Sequence, residues 1–300
     1  MKLGLHIPDT NWQGGPPRLR RTLGDVVDAA ESAGFDLIAV ADHVWLHPIL
    51  GGPLKDHVEA YTTLGFIAAR TGRVRLLAMA TAASYRPAGL LAKIVTTLDV
   101  LSEGRAMLCI GSGDFREEAK GLGLPFPESG ADRAELLEET VKACLEMWAG
   151  ERGSERPVRG RYVDMDRALN LPQSLSRPHP PIMIAGTGER RTLPLVARYA
   201  DACNMSPTPD LPKKLDLLRR LCDEAGRDYD TIEKTAPFGF DVGDDGSKAG
   251  EVVKQLEWLA GLGITTVIGW VVGVDRIKPI EIMSREVIPA AAELGTVAAR

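Results

Sequence analysis

The feature that most constrains the fold is a repeated alternation between short apolar runs and longer segments of helical period. Eight apolar runs, from KLGLHI near the start to ITTVIGWV near the end, each precede a segment whose apolar residues recur every three or four positions. Strands this continuously apolar are typical of parallel sheets that helices cover on both faces. Eight such units in a chain of 300 residues predict a closed (β/α)8 TIM barrel rather than an open doubly wound sheet.

The domain organisation follows from the absence of any composition shift. Residues 1–300 are predicted to form a single barrel domain. One stretch, residues 151–180, holds no clear barrel element and is rich in Arg, Pro and Asp, so we interpret it as an insertion between the fourth and fifth units. Such an insertion either covers the active site or forms a variable surface loop, and the sequence favours neither.

Charge and cysteine usage exclude several classes of function. The net charge is -5, and the densest basic run, RLRR, is typical of the solvated start of a helix rather than of a phosphate-backbone contact. The four cysteines show no C-x-x-C spacing, which favours buried free thiols and a reducing compartment. No apolar stretch approaches transmembrane length. We therefore expect a cytoplasmic protein that acts on a small molecule, without a nucleic-acid or membrane partner.

Polar and small residues collect at the ends of the predicted strands. They are His6 after the first strand, Asp42 and His43 after the second, Ala80, Thr81 and Ser84 after the third, Gly111 to Asp114 after the fourth, and Gly186 to Gly188 after the fifth. Active sites of TIM barrels lie at the carboxyl ends of the strands. Alone, His43 could be a hydrogen-bonded loop residue and Asp42 a helix cap, but several polar ends on one rim favour a functional site.

The turn after the fifth strand, AGTGERR, indicates an anion site. Its glycines stand between an apolar strand and a helix, so backbone amides can approach a phosphate at the positive helix end. A simple small-residue turn is the alternative, and Gly269 and Gly273 after the eighth strand could serve the same purpose. We prefer the fifth strand because its glycines directly precede the helix.

Metal and covalent catalysis have little support. His43 and His47 are four residues apart, but Pro48 disfavours a helix there and no third ligand completes a zinc site. No G-x-S-x-G nucleophile turn occurs. The sequence therefore predicts no metal and favours redox chemistry through an organic cofactor.

Three stretches carry a family resemblance. GFDLIAVADHVW, GRAMLCIGSGDFREE and PIMIAGTGERR together resemble the luciferase-like monooxygenase superfamily, specifically its coenzyme F420-dependent oxidoreductase branch, over roughly Lys2 to Pro207. The resemblance implies a TIM barrel with the deazaflavin in its mouth, the cofactor phosphate near the strand-five turn, and a homodimer.

The resemblance also implies roles for individual residues. Asp42 and His43 would lie beside the cofactor ring, a bulge with a non-prolyl cis peptide would fall at Ala80 and Thr81, and Asp114 would be an acidic proton donor. Gly111, Ser112 and Gly113 would line the cofactor, and Ala185, Gly186, Thr187 and Gly188 would hold its phosphate. We assign His6 and Trp45 to the substrate pocket.

His43 ranks ahead of Asp114 as the catalytic proton donor. An imidazole titrates near neutral pH, whereas the Asp114 carboxyl needs burial to raise its pKa enough to act as an acid. The predicted function is reversible hydride transfer between coenzyme F420 and a small organic substrate. Two alternatives stay open: an FMN-dependent monooxygenase on the same fold, because the phosphate turn would serve both cofactors, and a non-catalytic flavin-phosphate binding barrel.

Overall fold

The alternation of strands and helices is present throughout the computed structural model, which describes residues 1–297. The last three residues of the predicted domain lie outside the described residues. The strands, in chain order, are β1 (Lys2–Ile7), β2 (Leu37–Val40), β3 (Arg75–Ala78), β4 (Thr81–Ala82), β5 (Leu108–Gly111), β6 (Gly153–Ser154), β7 (Val158–Arg159), β8 (Asp164–Met165), β9 (Ala168–Leu169), β10 (Ile182–Ala185), β11 (Ala202–Asn204), β12 (Glu233–Phe240) and β13 (Thr266–Val271).

The main sheet is parallel and closes on itself. Its strand order is β3-β2-β1-β13-β12-β11-β10-β5-β4, and β4 continues β3 after a two-residue interruption. The two ends of this order also meet directly, because the Leu76 N–H donates to the Arg105 carbonyl at 2.8 Å and the Met107 N–H donates to the Leu76 carbonyl at 2.9 Å. With β3 and β4 forming one interrupted strand, the sheet is a barrel of eight strands, and the predicted TIM barrel is confirmed.

Helices form the outer layer of the barrel. They are α1 (Pro16–Ala33), α2 (Ala60–Ala68), α3 (Ala88–Leu101), α4 (Arg116–Gly121), α5 (Gly130–Met147), α6 (Thr192–Tyr199), α7 (Leu211–Ala225), α8 (Ala249–Gly261), α9 (Lys278–Ile282) and α10 (Ile288–Val297). Among the helices that the structure describes, none combines the length and the apolar character needed to cross a bilayer.

Helix α1 shows how the sequence pattern becomes an outer-layer helix. Prolines occupy its first turn, where the fixed φ suits a helix and the missing N–H costs nothing. Its buried residues, which include Leu23, Val27 and Ala30, form one stripe toward the sheet. The helix ends at Gly34, whose φ of 102° is unfavourable for residues that carry a Cβ.

The core has two layers. One apolar cluster fills the barrel interior with strand residues and with Met107, which directly precedes β5: Leu37, Ala39, Leu77, Met107, Cys109, Met183, Ala202 and Ile268. Alternate residues of the same strands, such as Ile38 and Ile184, point outward into a larger cluster shared with the helices. This alternation fixes which strand residues face the interior and thus which side chains reach the rim.

The segment between α5 and β10 forms two small antiparallel pairs, β6 with β9 and β7 with β8. It packs on the helical layer, where the Glu139 carboxylate of α5 accepts hydrogen bonds from the backbone N–H groups of Arg161, Tyr162 and Val163. None of the residues 151–180 lines the three cavities described below. Both roles left open for this segment stay predictions.

Candidate functional site

The strand ends meet at one rim, as expected for a barrel. A cavity of about 380 Å³, here called the glycine cavity, lies between the ends of β2, β4, β5 and β10. Ten of the predicted cofactor and catalytic residues line it: Asp42, His43, Ala80, Thr81, Gly111, Ser112, Gly113, Asp114, Ala185 and Gly186.

A buried carboxylate organises the end of β2. Glu118, in α4, is fully buried, and its Oε2 lies 2.8 Å from Nδ1 of His43. The same carboxylate accepts hydrogen bonds from the Tyr85 hydroxyl and from the backbone N–H groups of Val44 and Trp45, the last at 2.9 Å. We call these three side chains, Glu118, His43 and Tyr85, the imidazole corner. Glu118 holds the imidazole of His43 through Nδ1, so Nε2 is the ring nitrogen that remains for a ligand.

The imidazole corner favours a charged pair. Burial disfavours charge on His43, but the hydrogen bond and the negative charge of Glu118 outweigh it, so the pKa of His43 lies above its usual value. Burial likewise opposes charge on Glu118, but the hydrogen bonds from His43, Tyr85 and the backbone hold its pKa below the usual range. His43 therefore holds a proton to higher pH than a free imidazole does.

Asp42 is held by an arginine. Arg86 donates to both carboxylate oxygens of buried Asp42, at 2.6 and 2.9 Å, and its NH2 group also donates to Glu59 at 2.7 Å. The guanidinium lies 4.7 Å from the centre of the Tyr61 ring. A bidentate pair of this kind fixes the position of both partners, so the loop after β2 is anchored on both sides of His43.

The interruption between β3 and β4 contains the non-prolyl cis peptide, but at a different bond from the predicted one. The cis bond joins Met79 to Ala80, and not Ala80 to Thr81. The prediction was displaced by one residue because β3 ends at Ala78 and its extended path breaks immediately afterwards. Thr81 belongs to β4, where its buried hydroxyl lies 2.7 Å from the Tyr61 hydroxyl.

The turn after β5 provides a small-residue wall. Gly113 has a φ of +76°, and a Cβ placed there would lie 3.4 Å from Ala82 and 3.7 Å from Oγ of Ser84. That Ser84 oxygen is buried and has no hydrogen-bond partner among the described residues. Asp114 follows on this turn and is exposed.

The turn after β10 is built from backbone. Gly186 has a φ of +120°, and its N–H donates to the Asn204 carbonyl at 3.1 Å. The Gly188 carbonyl accepts from the N–H groups of Thr192 and Leu193 at the start of α6. The N–H groups of residues 187–190 have no acceptor within the described part of the chain. This turn therefore offers free donors at a helix N-terminus, the arrangement that binds anions.

A second cavity of about 390 Å³ lies over this turn and is lined by Gly188, Arg190 and Arg191 among others. Neither guanidinium forms an ion pair with any described residue, and both side chains are exposed. Ser112 lines this cavity and the glycine cavity, so the two adjoin as one groove from His43 to Arg191. Thr187 lies between them without lining either.

A third cavity of about 730 Å³, here called the apolar cavity, opens on the other side of His43. It shares His43, Met79 and Asp114 with the glycine cavity. His6 lines it; its Nε2 is buried without a hydrogen-bond partner among the described residues, and burial lowers its pKa to about 4.

Trp45 does not occupy the predicted substrate pocket. A Cβ placed on Gly121 would lie 2.1 Å from Cη2 of Trp45, which means that the indole packs against the last residue of α4. It is absent from the described lining of all three cavities, whereas Trp12 and Trp270 line the apolar cavity. The indole packs there because α4 also contacts the loop after β2, where Glu118 accepts hydrogen bonds from the N–H groups of Val44 and Trp45.

Three site residues escaped the sequence analysis: Glu118, Tyr85 and Arg86. Glu118 lies 75 positions from His43, and Arg86 lies 44 from Asp42, so their contacts depend on the closed barrel. A weak signal for Glu118 was available, because FREEAKG places adjacent acids on a short helix directly after the glycine turn. Tyr85 and Arg86 gave no comparable signal.

Comparison with known proteins identifies the family. The sequence matches the family described as luciferase-like monooxygenase over residues 1–292. An F420-dependent glucose-6-phosphate dehydrogenase from Nakamurella multipartita is 33% identical over 222 residues, which cover 70% of this chain and 60% of that protein. The chain spans about 60% of the length of the curated relatives that it matches in this way.

Solved structures agree on the fold. Monooxygenase RslO1 from Streptomyces bottropensis superposes with a TM-score of 0.78 at 19% identity, covering 96% of this chain and 99% of that one. The coenzyme F420-dependent tetrahydromethanopterin reductase from Methanopyrus kandleri superposes with a TM-score of 0.74 at 19% identity, covering 96% and 98%. At this identity the likeness establishes the barrel architecture alone.

Proposed function

The chain belongs to the luciferase-like monooxygenase family, and from that premise we propose that it is a coenzyme F420-dependent oxidoreductase. It would transfer hydride between the deazaflavin and a small organic substrate. Relatives named F420-dependent glucose-6-phosphate dehydrogenase support the cofactor. The observation that carries the proposal is the imidazole corner, because it sets a proton-holding histidine where the glycine cavity and the apolar cavity meet.

The groove fits the proposed cofactor at both ends. The glycine cavity has small-residue walls at Gly111 and Gly113 and an unpartnered buried hydroxyl at Ser84, which suit a flat ring with polar edges. At the other end, the free N–H groups of residues 187–190 and the unpaired Arg190 and Arg191 suit a phosphate. The residues that would hold the cofactor are the predicted ones together with Arg190 and Arg191. Thr187 would contribute its backbone N–H group and not its side chain.

When bound, the reduced deazaflavin supplies a hydride, and the chain's own residues handle the accompanying proton. His43 donates Nδ1–H to Glu118, which leaves Nε2 to exchange a proton with a substrate in the apolar cavity. The raised pKa of His43 keeps that proton available at neutral pH. Asp114 borders both cavities and is the second candidate for the proton.

Asp42 has a positioning role in this proposal. Its carboxylate is engaged by Arg86, so it anchors the loop that carries His43 and does not take part in proton transfer. A homodimer and a cytoplasmic location stay predictions from the resemblance and from the cysteine usage.

Side-by-side titration of the protein with oxidised F420 and FMN tests the cofactor. We expect F420 to bind at micromolar concentration or tighter and FMN to bind at least about tenfold more weakly, a difference of roughly 1.4 kcal/mol. Absorbance and protein fluorescence report the binding. Equal or tighter binding of FMN, together with oxygen consumption in the presence of reduced FMN, would establish the monooxygenase alternative instead.

A further inference from the structure

Apart from the histidines, the charged side chains that line the apolar cavity are all acidic. Its described lining contains no lysine or arginine, while Asp9, Asp114 and Asp275 contribute three carboxylates. Arg276, directly after the lining residue Asp275, is paired with Asp244 at 2.7 Å. An anion entering this cavity would meet these carboxylates, and the one lining side chain that favours a positive charge, His43, is already paired with Glu118.

Hydrocarbon side chains form the walls and the mouth. Trp12, Ile49, Leu50, Trp270 and Val272 all line the cavity. Several of them are unusually open for apolar residues: Ile49 is 86% exposed, Val272 47% and Trp270 46%. Apolar surface left open around a concave site is typical of a ligand-binding mouth.

Three imidazoles line the cavity; His47 accepts a hydrogen bond from the Ile49 N–H, which leaves His6 and His43 to contact a substrate. His6 presents a buried Nε2 that has no partner among the described residues, and its lowered pKa keeps the ring neutral, able to make one hydrogen bond without adding positive charge. His43 lies at the junction with the glycine cavity. Such a pair matches a single uncharged oxygen on an otherwise apolar molecule.

We propose that the substrate is an uncharged secondary alcohol, or the corresponding ketone, with a hydrocarbon body, and not a sugar phosphate. This inference deepens the proposed function and rests on it for the chemistry. In oxidation, the carbinol carbon gives its hydride to oxidised F420, the hydroxyl proton passes to His43, and the C–O single bond becomes C=O. Reduction of the ketone by reduced F420 reverses each transfer.

A matched pair of compounds tests the charge requirement. Octan-2-ol and 7-hydroxyoctanoate share a carbon skeleton, but the terminal methyl of the first is a carboxylate in the second. With F420 bound, we expect kcat/KM for octan-2-ol to exceed that for 7-hydroxyoctanoate by roughly tenfold or more, and glucose 6-phosphate to give no turnover. A preference for either anion would overturn the proposal.

Two variants and one cofactor-free measurement complete the test. Val272→Arg adds a cation at the mouth and should narrow the preference for octan-2-ol over 7-hydroxyoctanoate, whereas Trp258→Arg adds the same charge on α8, outside the lining, and should leave that preference unchanged.

Tryptophan fluorescence without F420 measures binding of octan-2-one and glucose 6-phosphate directly. If F420 fails to bind but the ketone still binds more tightly, the proposed function fails and the assignment of the cavity stands. If F420 binds but glucose 6-phosphate is preferred over the ketone, the assignment of the cavity fails and the proposed function stands.

Discussion

The two ends of the groove are built from different material. The imidazole corner consists of side chains, with a fully buried Glu118 that holds His43 and Tyr85 by charge and hydrogen bonds. The turn after β10 consists of backbone, with glycines, free N–H groups and two exposed arginines. Buried side chains in fixed contact can shift a pKa, and solvent-exposed backbone N–H groups can bind an anion. From this comparison we expect the corner to set the rate of the proposed reaction and the turn to set the affinity for the proposed cofactor.

The largest expected effect comes from removing the imidazole. His43→Ala should lower turnover by on the order of a hundredfold or more, because a general acid is lost, while F420 affinity changes by no more than a few fold. Steady-state kinetics on the best substrate of the panel and F420 titration measure the two quantities. Normal turnover in His43→Ala, with turnover abolished in Asp114→Asn, would transfer the proton role to Asp114.

The buried carboxylate should control the pH range of activity. Glu118→Gln removes the negative charge that raises the pKa of His43. As pH rises, the variant should therefore lose ketone reduction at a lower pH than the unaltered protein does. Near neutral pH, less of His43 then holds the proton, so turnover in ketone reduction should fall, by roughly tenfold at most. The pH profile of turnover measures this shift.

Glu117→Gln is the matched control for that variant. Glu117 is the exposed neighbour of Glu118 in α4, so the same change there should leave the profile in place. Circular dichroism checks that both variants fold. An unshifted profile in folded Glu118→Gln would show that Glu118 supports structure alone.

The backbone turn should affect affinity and not chemistry. Gly186→Ala introduces a Cβ where φ is +120°, next to Thr192, and should weaken F420 binding by roughly tenfold by displacing the N–H donors. Gly226→Ala is the control, because Gly226 also has a positive φ, of +66°, but ends α7 in open space. Both variants should lose some stability to unfavourable φ, and only the first should lose affinity.

The smallest expected effect belongs to the exposed arginines. Arg190→Gln combined with Arg191→Gln should weaken F420 binding by only a few fold, because exposed charges are screened by solvent and salt. The loss should shrink further as salt is added. Arg220→Gln, an exposed arginine of α7, provides the control. A salt-independent loss would indicate that these side chains act by contact rather than by charge.

The sequence predicted the parts of this molecule that depend on local pattern. Apolar periodicity predicted the alternation of strands and helices, and the predicted barrel of eight units is the one observed. Asp42, His43 and the glycine turns were found because a barrel places its strand ends at one rim. Their positions follow from topology alone.

What the sequence did not predict depends on contacts between distant segments. Glu118 reaches His43 only because α4 returns beneath the loop after β2, and the same return removes Trp45 from the cavity. The cis bond was misplaced by one residue because nothing local marks where β3 leaves its extended path. Strand ends can thus be read from pattern, whereas their buried partners require the fold.

The rate of hydride transfer at saturating F420, measured side by side in His43→Ala and Gly186→Ala, tests the division between corner and turn most directly. At saturation the affinity defect no longer matters, so Gly186→Ala should transfer hydride within a few fold of the unaltered protein, whereas His43→Ala should stay slow by on the order of a hundredfold at any F420 concentration. A slow Gly186→Ala at saturation, or a His43→Ala whose rate is restored by excess F420, would contradict the account.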